Sequence, residues 1–337
     1  MLKRMATAST PIESCNLYKT RYRRDVTRSA RQRFQHLVPM ATILIAGVAV
    51  VDFVFLLDEM PVRAEKHRAK DAAIVGGGCA ANAAVAIARL GGAARLATRL
   101  GDDPVGAMIV ADLEAEGVDC TLARRFPGGR SSFSSVFIDA GGERQIVNFR
   151  DPDLSFDAGW LEQAMPGDFD AALADTRWPQ GAAALLSAAR ALSRPGVLDA
   201  EPPIAEATEA LQVASHVAFS AQGLREFVGI ENLEKALKDA AKHTRAWLCV
   251  TDGPQGAIYL DEDSVRRVPA FETDVVDTLG AGDIWHGAFA LALGEGMREA
   301  EAARFANAAA AIKCTRFGGR AGTPTRHEVE QFMRDRE

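Results

Sequence analysis

The stretch AARLATRLGDDPVGAMIVADLEAEGV, residues 93–118, carries the signature from which the fold is read. Its first nine residues favour a strand. The run from Asp103 favours a helix, with Pro104 near the helix start, where its missing N–H costs nothing. Strand followed by helix is one βα unit, and the same alternation extends in both directions. TILIAGVAVV (42–51) is β-rich, and AANAAVAIARLGG (80–92) is an Ala-rich helix stopped by Gly91 and Gly92. Downstream the pattern continues through DAALADTRW, GAAALLSAARAL, GVLDAEP, ATEALQVA, HVAFS, LEKALKDAAK and AWLCVTDG. Repeated alternation implies an α/β fold, with a mostly parallel sheet covered by helices on both faces. Ligands on such sheets bind beyond the C-terminal ends of the strands.

One part breaks the pattern. SSFSSVFIDAGGERQIVNFR (131–150) reads as two strands around Gly141 and Gly142, a hairpin. ILIAGVAVVDFVFLL (43–57) is too short for a membrane span and contains Asp52, so it reads as a buried strand, a bend at Asp52 and a second strand. That second strand and the hairpin predict a small antiparallel sheet, about 53–75 and 130–150, able to cover a site.

The chain has 337 residues, 48% hydrophobic and 25% charged, an ordinary globular composition. Its net charge of −6 is uneven. Residues 1–39 carry nine Lys or Arg against Glu13 and Asp25, a net of +7, which leaves −13 on residues 40–337. An acidic body argues against nucleic acid as a partner. The basic segment reads as a disordered or untranslated extension, with Met40 opening the foldable chain. Five scattered cysteines, none in a CxxC pair, suggest neither a zinc site nor a disulfide framework. With no secretory signal and no membrane span, a reducing, cytoplasmic setting is expected.

DTLGAGDIWHGAF (277–289) is the stretch that carries chemistry. Small residues before an apolar run look like the bare N-terminus of a helix, with unpaired N–H groups and the positive end of the dipole. Such a terminus suits an anion, yet Asp283 stands there. The conflict disappears if the site holds a phosphoryl group and a hydroxyl together. The amides of Gly280, Ala281 and Gly282 then face the phosphoryl oxygens, and Asp283 receives the hydroxyl proton. The same dipole is expected to keep Asp283 ionised. An equally simple reading is an N-cap Asp on a core helix. GGGCAANAAVAIARLGG (76–92) fits GxGxxG poorly and reads as a tight strand-to-helix turn or a backbone cradle for a polyol with Asn82. His286 and His327 read as ordinary polar residues.

Five ordered stretches together resemble the PfkB (ribokinase-like) carbohydrate kinases. DTLGAGD resembles the signature DTxGAGD; GGCAAN (77–82) with ARLG (88–91) resembles GGxxxN; RLGDDPVG (99–106) resembles GDDxxG. VTDGPQGA (250–257) resembles the TxGxxG nucleotide loop, and FANAAAAIKCTRFGG (305–319) the adenine-side helix and loop. The resemblance spans about residues 40–330. It implies a three-layer sandwich with a small β-sheet lid and transfer of a phosphoryl group from ATP, with Mg²⁺, to a sugar. Asp283 would be the base and Gly280 to Gly282 the anion hole. Asp52, Gly78 and Asn82 would hold sugar hydroxyls, and Thr251, Gly253, Gly256 and Asn307 would lie along the nucleotide. Backbone carbonyls near Asp277 and in 315–319 could hold a monovalent cation, and a homodimer through the lid is expected.

Two departures stand out. The NxxE motif tied to Mg²⁺ has Ser220 and Gly223 in place of Asn and Glu, so the metal ligands are unassigned. Trp285 stands where Phe is usual. LADTRWPQGA, SAQGL and IKCTRFGGRAG look like the sulfofructose kinase branch, in which Lys66, Asn148 and Arg177 would grip a sulfonate. Charge-assisted donors suit such an anion. A neutral ketose, ribose or 2-keto-3-deoxygluconate is the alternative substrate. Nothing in the lid stretches marks an aromatic wall for stacking a base, which argues against a nucleoside kinase, and a non-catalytic sugar sensor would not need Asp283.

Overall fold

A computed structural model describes residues 40–336 apart from Gly142. The basic segment before Met40 lies outside the described residues. Contacts divide the described chain into two compact units, one made of 52–75 and 134–148 and the other of the remainder.

The larger unit is built on a nine-stranded sheet. Its strands are β1 (Thr42–Ala46), β4 (Ala93–Gly101), β5 (Ala123–Phe126), β8 (Ala171–Asp175), β9 (Gly196–Ala200), β10 (His216–Ser220), β11 (Trp247–Thr251), β12 (Ala257–Asp261) and β13 (Ser264–Val268). The order is β13-β12-β11-β10-β9-β8-β1-β4-β5. All neighbours run parallel except β11–β12 and β12–β13, which are antiparallel. Apart from the half-buried Thr42 the central strands are buried throughout, which is why TILIA, AALAD and GVLDA read as mainly apolar rather than alternating. Helices α1 (Cys79–Arg89), α2 (Pro104–Ala115), α8 (Ala281–Gly294) and α9 (Glu299–Cys314) belong to this unit. So do α3 (Gly159–Ala164), α4 (Pro179–Ala191), α5 (Thr208–Val213), α6 (Ala221–Val228), α7 (Leu233–Ala240) and α10 (Arg326–Arg334). Leu44, Phe169, Trp178, Leu198 and Phe219 lie in one buried cluster with Leu185, Leu186 and Leu237 from the helices.

The stretch that announced the fold is held by its own polar residues. Asp103 caps α2, accepting from the amide of Gly106 at 2.7 Å, and its other oxygen accepts from the amide of Ser131. A side chain at Gly106 would come within 2.6 Å of the Gly101 carbonyl. GDDPVG is therefore a capping device, with its second glycine set by close backbone approach.

Helices α1 and α8 pack through Gly287, whose missing side chain would stand 2.6 Å from the Ala83 carbonyl. Beside that contact Trp285 stacks on Phe289 with ring centroids 5.0 Å apart, and its indole N–H donates to Asn307 Oδ1 at 2.7 Å. The tryptophan thus supplies a donor that phenylalanine lacks. Trp285→Phe is expected to leave a buried oxygen unpaired and to cost about 1–3 kcal/mol of stability, measured by urea unfolding at unchanged m-value.

The smaller unit centres on a four-stranded sheet of order β3-β2-β6-β7, from β2 (Val50–Leu56), β3 (Asp71–Gly77), β6 (Phe133–Ile138) and β7 (Arg144–Phe149). The hairpin expected around Gly141 is present. Asp139 closes it, one carboxylate oxygen accepting from the amides of Gly141 and Glu143 at 2.8 and 3.0 Å. Phe55 and Phe137 stack across β2 and β6 at 5.7 Å. One boundary differs from the sequence reading. The chain breaks at residues 47–49, and Asp52 lies inside β2. The break falls at Gly47 because a side chain there would collide with the Asp175 carboxylate.

Candidate active site

Parallel pairing brings the chemistry to one edge of the larger sheet. Asp175, the last residue of β8, is in register with Asp199 of β9. Ser220 ends β10 opposite Thr251 at the end of β11. Both aspartates are buried. Asp175 is a structural hub: its carboxylate accepts from the amides of Val48 (2.8 Å), Arg177 (2.9 Å) and Ala80 (3.1 Å). It thereby fixes the start of α1. Gly78 precedes that start with φ of 97°, and a side chain there would strike the Val48 carbonyl. Only glycine meets both demands.

Asn82 of α1 and Asp283 of α8 meet although 201 residues separate them. Asn82 Nδ2 donates to Asp283 Oδ2 at 2.6 Å, while the buried Oδ1 of Asn82 has no hydrogen-bond partner among the described residues. Asp283 stands in the first turn of α8 behind Gly280, which adopts the left-handed φ of 75°. The amide of Ala281 is taken by the Thr278 carbonyl at 3.1 Å, whereas among the described residues the amides of Gly282 and Asp283 have no acceptor. The Gly280 amide likewise has none, so the expected cradle keeps Gly280 and Gly282, loses Ala281 and gains the amide of Asp283.

The electrostatics differ more sharply from expectation. Burial, reinforced by the charge of Asp199, pushes the Asp283 carboxyl up to about 7, against the opposing effect of the Asn82 hydrogen bond. The helix dipole was expected to hold it ionised. Removal from water and a neighbouring carboxylate outweigh that effect. Asp199 is itself driven well above the carboxylate range, first by burial and then by Glu201 and Asp175. Among the described residues its Oδ1 accepts no hydrogen bond. The nearest basic group is His286 Nε2, 3.4 Å away, and burial lowers the pKa of that imidazole. His286 Nδ1 faces the Gly282 carbonyl at 2.8 Å, and Nε2 also faces the Ala218 carbonyl at 3.3 Å.

His286, Asp199 and Glu201 are the site residues that sequence reasoning missed. The signal was present: His286 lies three residues after Asp283, one helical turn on, and DAE ends a strand whose ligand edge was already inferred. Cys79 Sγ, an Asp199 oxygen and an Asp283 oxygen all lie within 4.8 Å of one another. Burial and the charge on Asp283 raise the Cys79 thiol well above its ordinary range, so it is a weak nucleophile here. The described cysteines are free thiols.

The absent NxxE glutamate has a steric cause. Ser220 caps α6 through the amide of Gly223 at 3.0 Å, and a side chain on Gly223 would come within 2.5 Å of the Ala200 carbonyl. No glutamate fits there. A carboxylate reaches the cradle from the neighbouring strand end instead, Glu201 Oε1 lying 4.0 Å from where a Gly282 side chain would begin.

The remaining predicted residues are distributed as follows. Thr251 donates to the Phe219 carbonyl at 3.4 Å, and Gly253 and Gly256 take positive φ in the loop beyond β11. Asn307 is buried with its amide committed inside the protein: Nδ2 donates to the Val268 and Pro269 carbonyls, and Oδ1 accepts from Trp285. Both of its N–H donors are therefore committed within the protein. Arg177 follows β8, and its charge acts on Asp175 and Asp199. Asp52, Lys66 and Asn148 belong to the smaller unit, where Lys66 and Asn148 are exposed.

An α/β sandwich with a second small sheet, and with a glycine-led helix start facing a carboxylate at the strand ends, is the ribokinase-like kinase architecture. The pfkB family carbohydrate kinase profile matches residues 18–326. A crystal structure from Agrobacterium tumefaciens, provisionally called a ribokinase, is 37% identical with a TM-score of 0.79, covering 88% of this chain and 98% of its own. Ribokinase of Bacillus subtilis is 29% identical over 87% of this chain and all of its own length. Fructokinase-1 of Oryza sativa is 30% identical over 82% of this chain and 95% of its own. The chain belongs to the pfkB family of carbohydrate kinases and is a phosphotransferase. Among the described residues no helix is long and apolar enough to cross a membrane.

Proposed function

We propose that this kinase transfers the γ-phosphoryl group of ATP to a primary hydroxyl of a neutral ketose or pentose, with Asp283 as general base. The observation that carries the reading is the joint position of Asp283 and the unpaired amides of Gly282 and Asp283 at one helix start. The amides stabilise charge on the phosphoryl oxygens, and the carboxylate accepts the hydroxyl proton. A pKa near 7 suits a base that must both take and release that proton. Asn82 orients Asp283 and offers its unpartnered Oδ1 to a sugar hydroxyl, with the Gly78 backbone as a further polyol contact. The nucleotide lies along Thr251, Gly253 and Gly256. Asp199 and Glu201 fit a divalent ion, since Asp199 carries a buried oxygen with no hydrogen bond and Glu201 faces the amide cradle. Bound with the nucleotide, Mg²⁺ supplies charge neutralisation at the phosphoryl oxygens. Exposed Ile74, Ile146 and Val147 on the smaller sheet support pairing of two copies through the lid.

The ribokinase and fructokinase relatives support a neutral sugar. A second reading, 6-deoxy-6-sulfofructose, rests on Arg177 beyond the end of β8. The Arg177 charge already acts on the buried carboxyls of Asp175 and Asp199 inside the protein, which favours the first reading. A panel of ribose, fructose, 2-keto-3-deoxygluconate, 6-deoxy-6-sulfofructose and inosine, followed by ADP release, separates these. Ribose or fructose is expected to lead. A lead for sulfofructose would establish the second reading, provided Arg177→Met lowers its kcat/KM roughly 10- to 150-fold, about 1.5–3 kcal/mol, and spares fructose. No sugar-dependent ADP release from folded protein would overturn both.

A further inference from the structure

Lys313, in the last turn of α9, is fully buried. Its Nζ donates to the Asp277 carbonyl at 2.7 Å and lies 3.1 Å from Asp277 Oδ2. The same Oδ2 accepts from the amides of Gly318 (3.0 Å) and Gly319 (3.3 Å), and Oδ1 accepts from Leu279 at 2.9 Å. Lys313 Cε packs 3.6 Å from where a Gly322 side chain would begin. The ammonium therefore sits between the turn at 277–280 and the loop at 315–322. This is where the sequence resemblance led us to expect a free monovalent cation, and the residues present do not fit one. The Asp277 carbonyl that would ligate it is already engaged by a positive charge on a tether. Burial works against ionisation of Asp277, but the Leu279 and Gly318 amides and the Lys313 charge hold its carboxyl below the usual range. The pair is thus a buried and well-bonded one, for which removing either partner is costly.

We propose that the Lys313 ammonium is a tethered replacement for a monovalent cation. It holds the Asp277–Gly280 turn against the Gly318–Gly319 loop, and the protein needs no K⁺ or Na⁺. An ammonium and a potassium ion carry the same charge and are nearly alike in size, and the tether removes the entropic cost of capturing a free ion. Lys313 is a positioning residue: it touches the turn that presents the amide cradle, through the Thr278 carbonyl that accepts from Ala281.

The proposal rests on the kinase reading for its effect on rate, so the primary test does not use rate. Melting temperatures of wild type and Lys313→Met are compared in K⁺, NH₄⁺ and tetramethylammonium chloride at equal ionic strength. Methionine keeps the stem and removes the charge. The wild type is expected to melt at the same temperature in all three salts. The variant is expected to melt lower and to recover part of the loss in K⁺ or NH₄⁺ alone, because an ion that binds only the folded state stabilises it. Sugar-dependent ADP release should follow the same pattern, wild type varying less than twofold between salts and the variant being rescued at least severalfold. A K⁺-specific rise in the wild-type melting temperature overturns the proposal. So does a folded variant indifferent to all three cations. Should the variant fail to fold, the wild-type comparison decides alone. Absence of ADP release with an intact melting pattern counts against the kinase reading and not against the tethered cation.

Discussion

Asp283→Asn should fold, bind ATP with unchanged affinity by calorimetry, and lose kcat by a factor on the order of 10² to 10⁴. The substitution keeps shape and keeps a partner for Asn82, but removes the one oxygen pair placed to take a hydroxyl proton. It also removes a carboxylate that repels Asp199, so stability should hold or rise. The loss should appear mainly in kcat, because the proton moves only as the transition state is reached. Near-wild-type turnover in the folded variant would end the assignment of Asp283 as base and leave it a helix cap.

The pH dependence follows from the same site. In the proposed mechanism the active form carries Asp283 ionised, and in the free protein burial and Asp199 raise its carboxyl to about 7. With both substrates well below saturation, the rate should therefore be level above that value. Below it the rate should fall about tenfold per pH unit, a loss on the order of 100-fold by pH 5. The direction is fixed by the chemistry: protonation fills the site that must accept the hydroxyl proton. Asn82→Ala withdraws the hydrogen bond that favours the ionised form, so its inflection should move to higher pH. The residual rate of Asp283→Asn should be flat over the same range. A wild-type profile flat down to pH 5 would show that the carboxyl is not poised as described.

Much of this was legible in the chain because its signals are local. Alternating apolar runs gave the parallel sheet, Gly141 the hairpin, and Gly280 to Asp283 the helix start with its carboxylate. What escaped the sequence depends on contacts between distant segments. Nothing near Asn82 shows that its amide meets Asp283, or that Asp175 and Asp199 come into register. Burial of Asp283, together with the second carboxylate that this register puts beside it, reverses the expectation that the dipole keeps it charged. Asn307 was read as a nucleotide contact because its helix matched a motif. Its amide is instead used by Trp285, Val268 and Pro269, and the same contact explains the unusual tryptophan. Gly223 read as a missing glutamate, whereas the Ala200 carbonyl leaves no room for any side chain. Nothing in the sequence around Lys313 shows that its ammonium meets the Asp277 carbonyl, a contact 36 residues away.

The central claim is that the carboxylate and amides at the start of α8 move a phosphoryl group onto a sugar. Phosphorus NMR of the wild-type protein with MgATP and ribose or fructose tests it most directly. The γ-phosphate signal should disappear as a sugar phosphomonoester signal grows in equal amount with ADP, and neither change should occur without sugar. ATP left intact with every sugar by folded protein, or γ-phosphate released only as inorganic phosphate, would contradict the account.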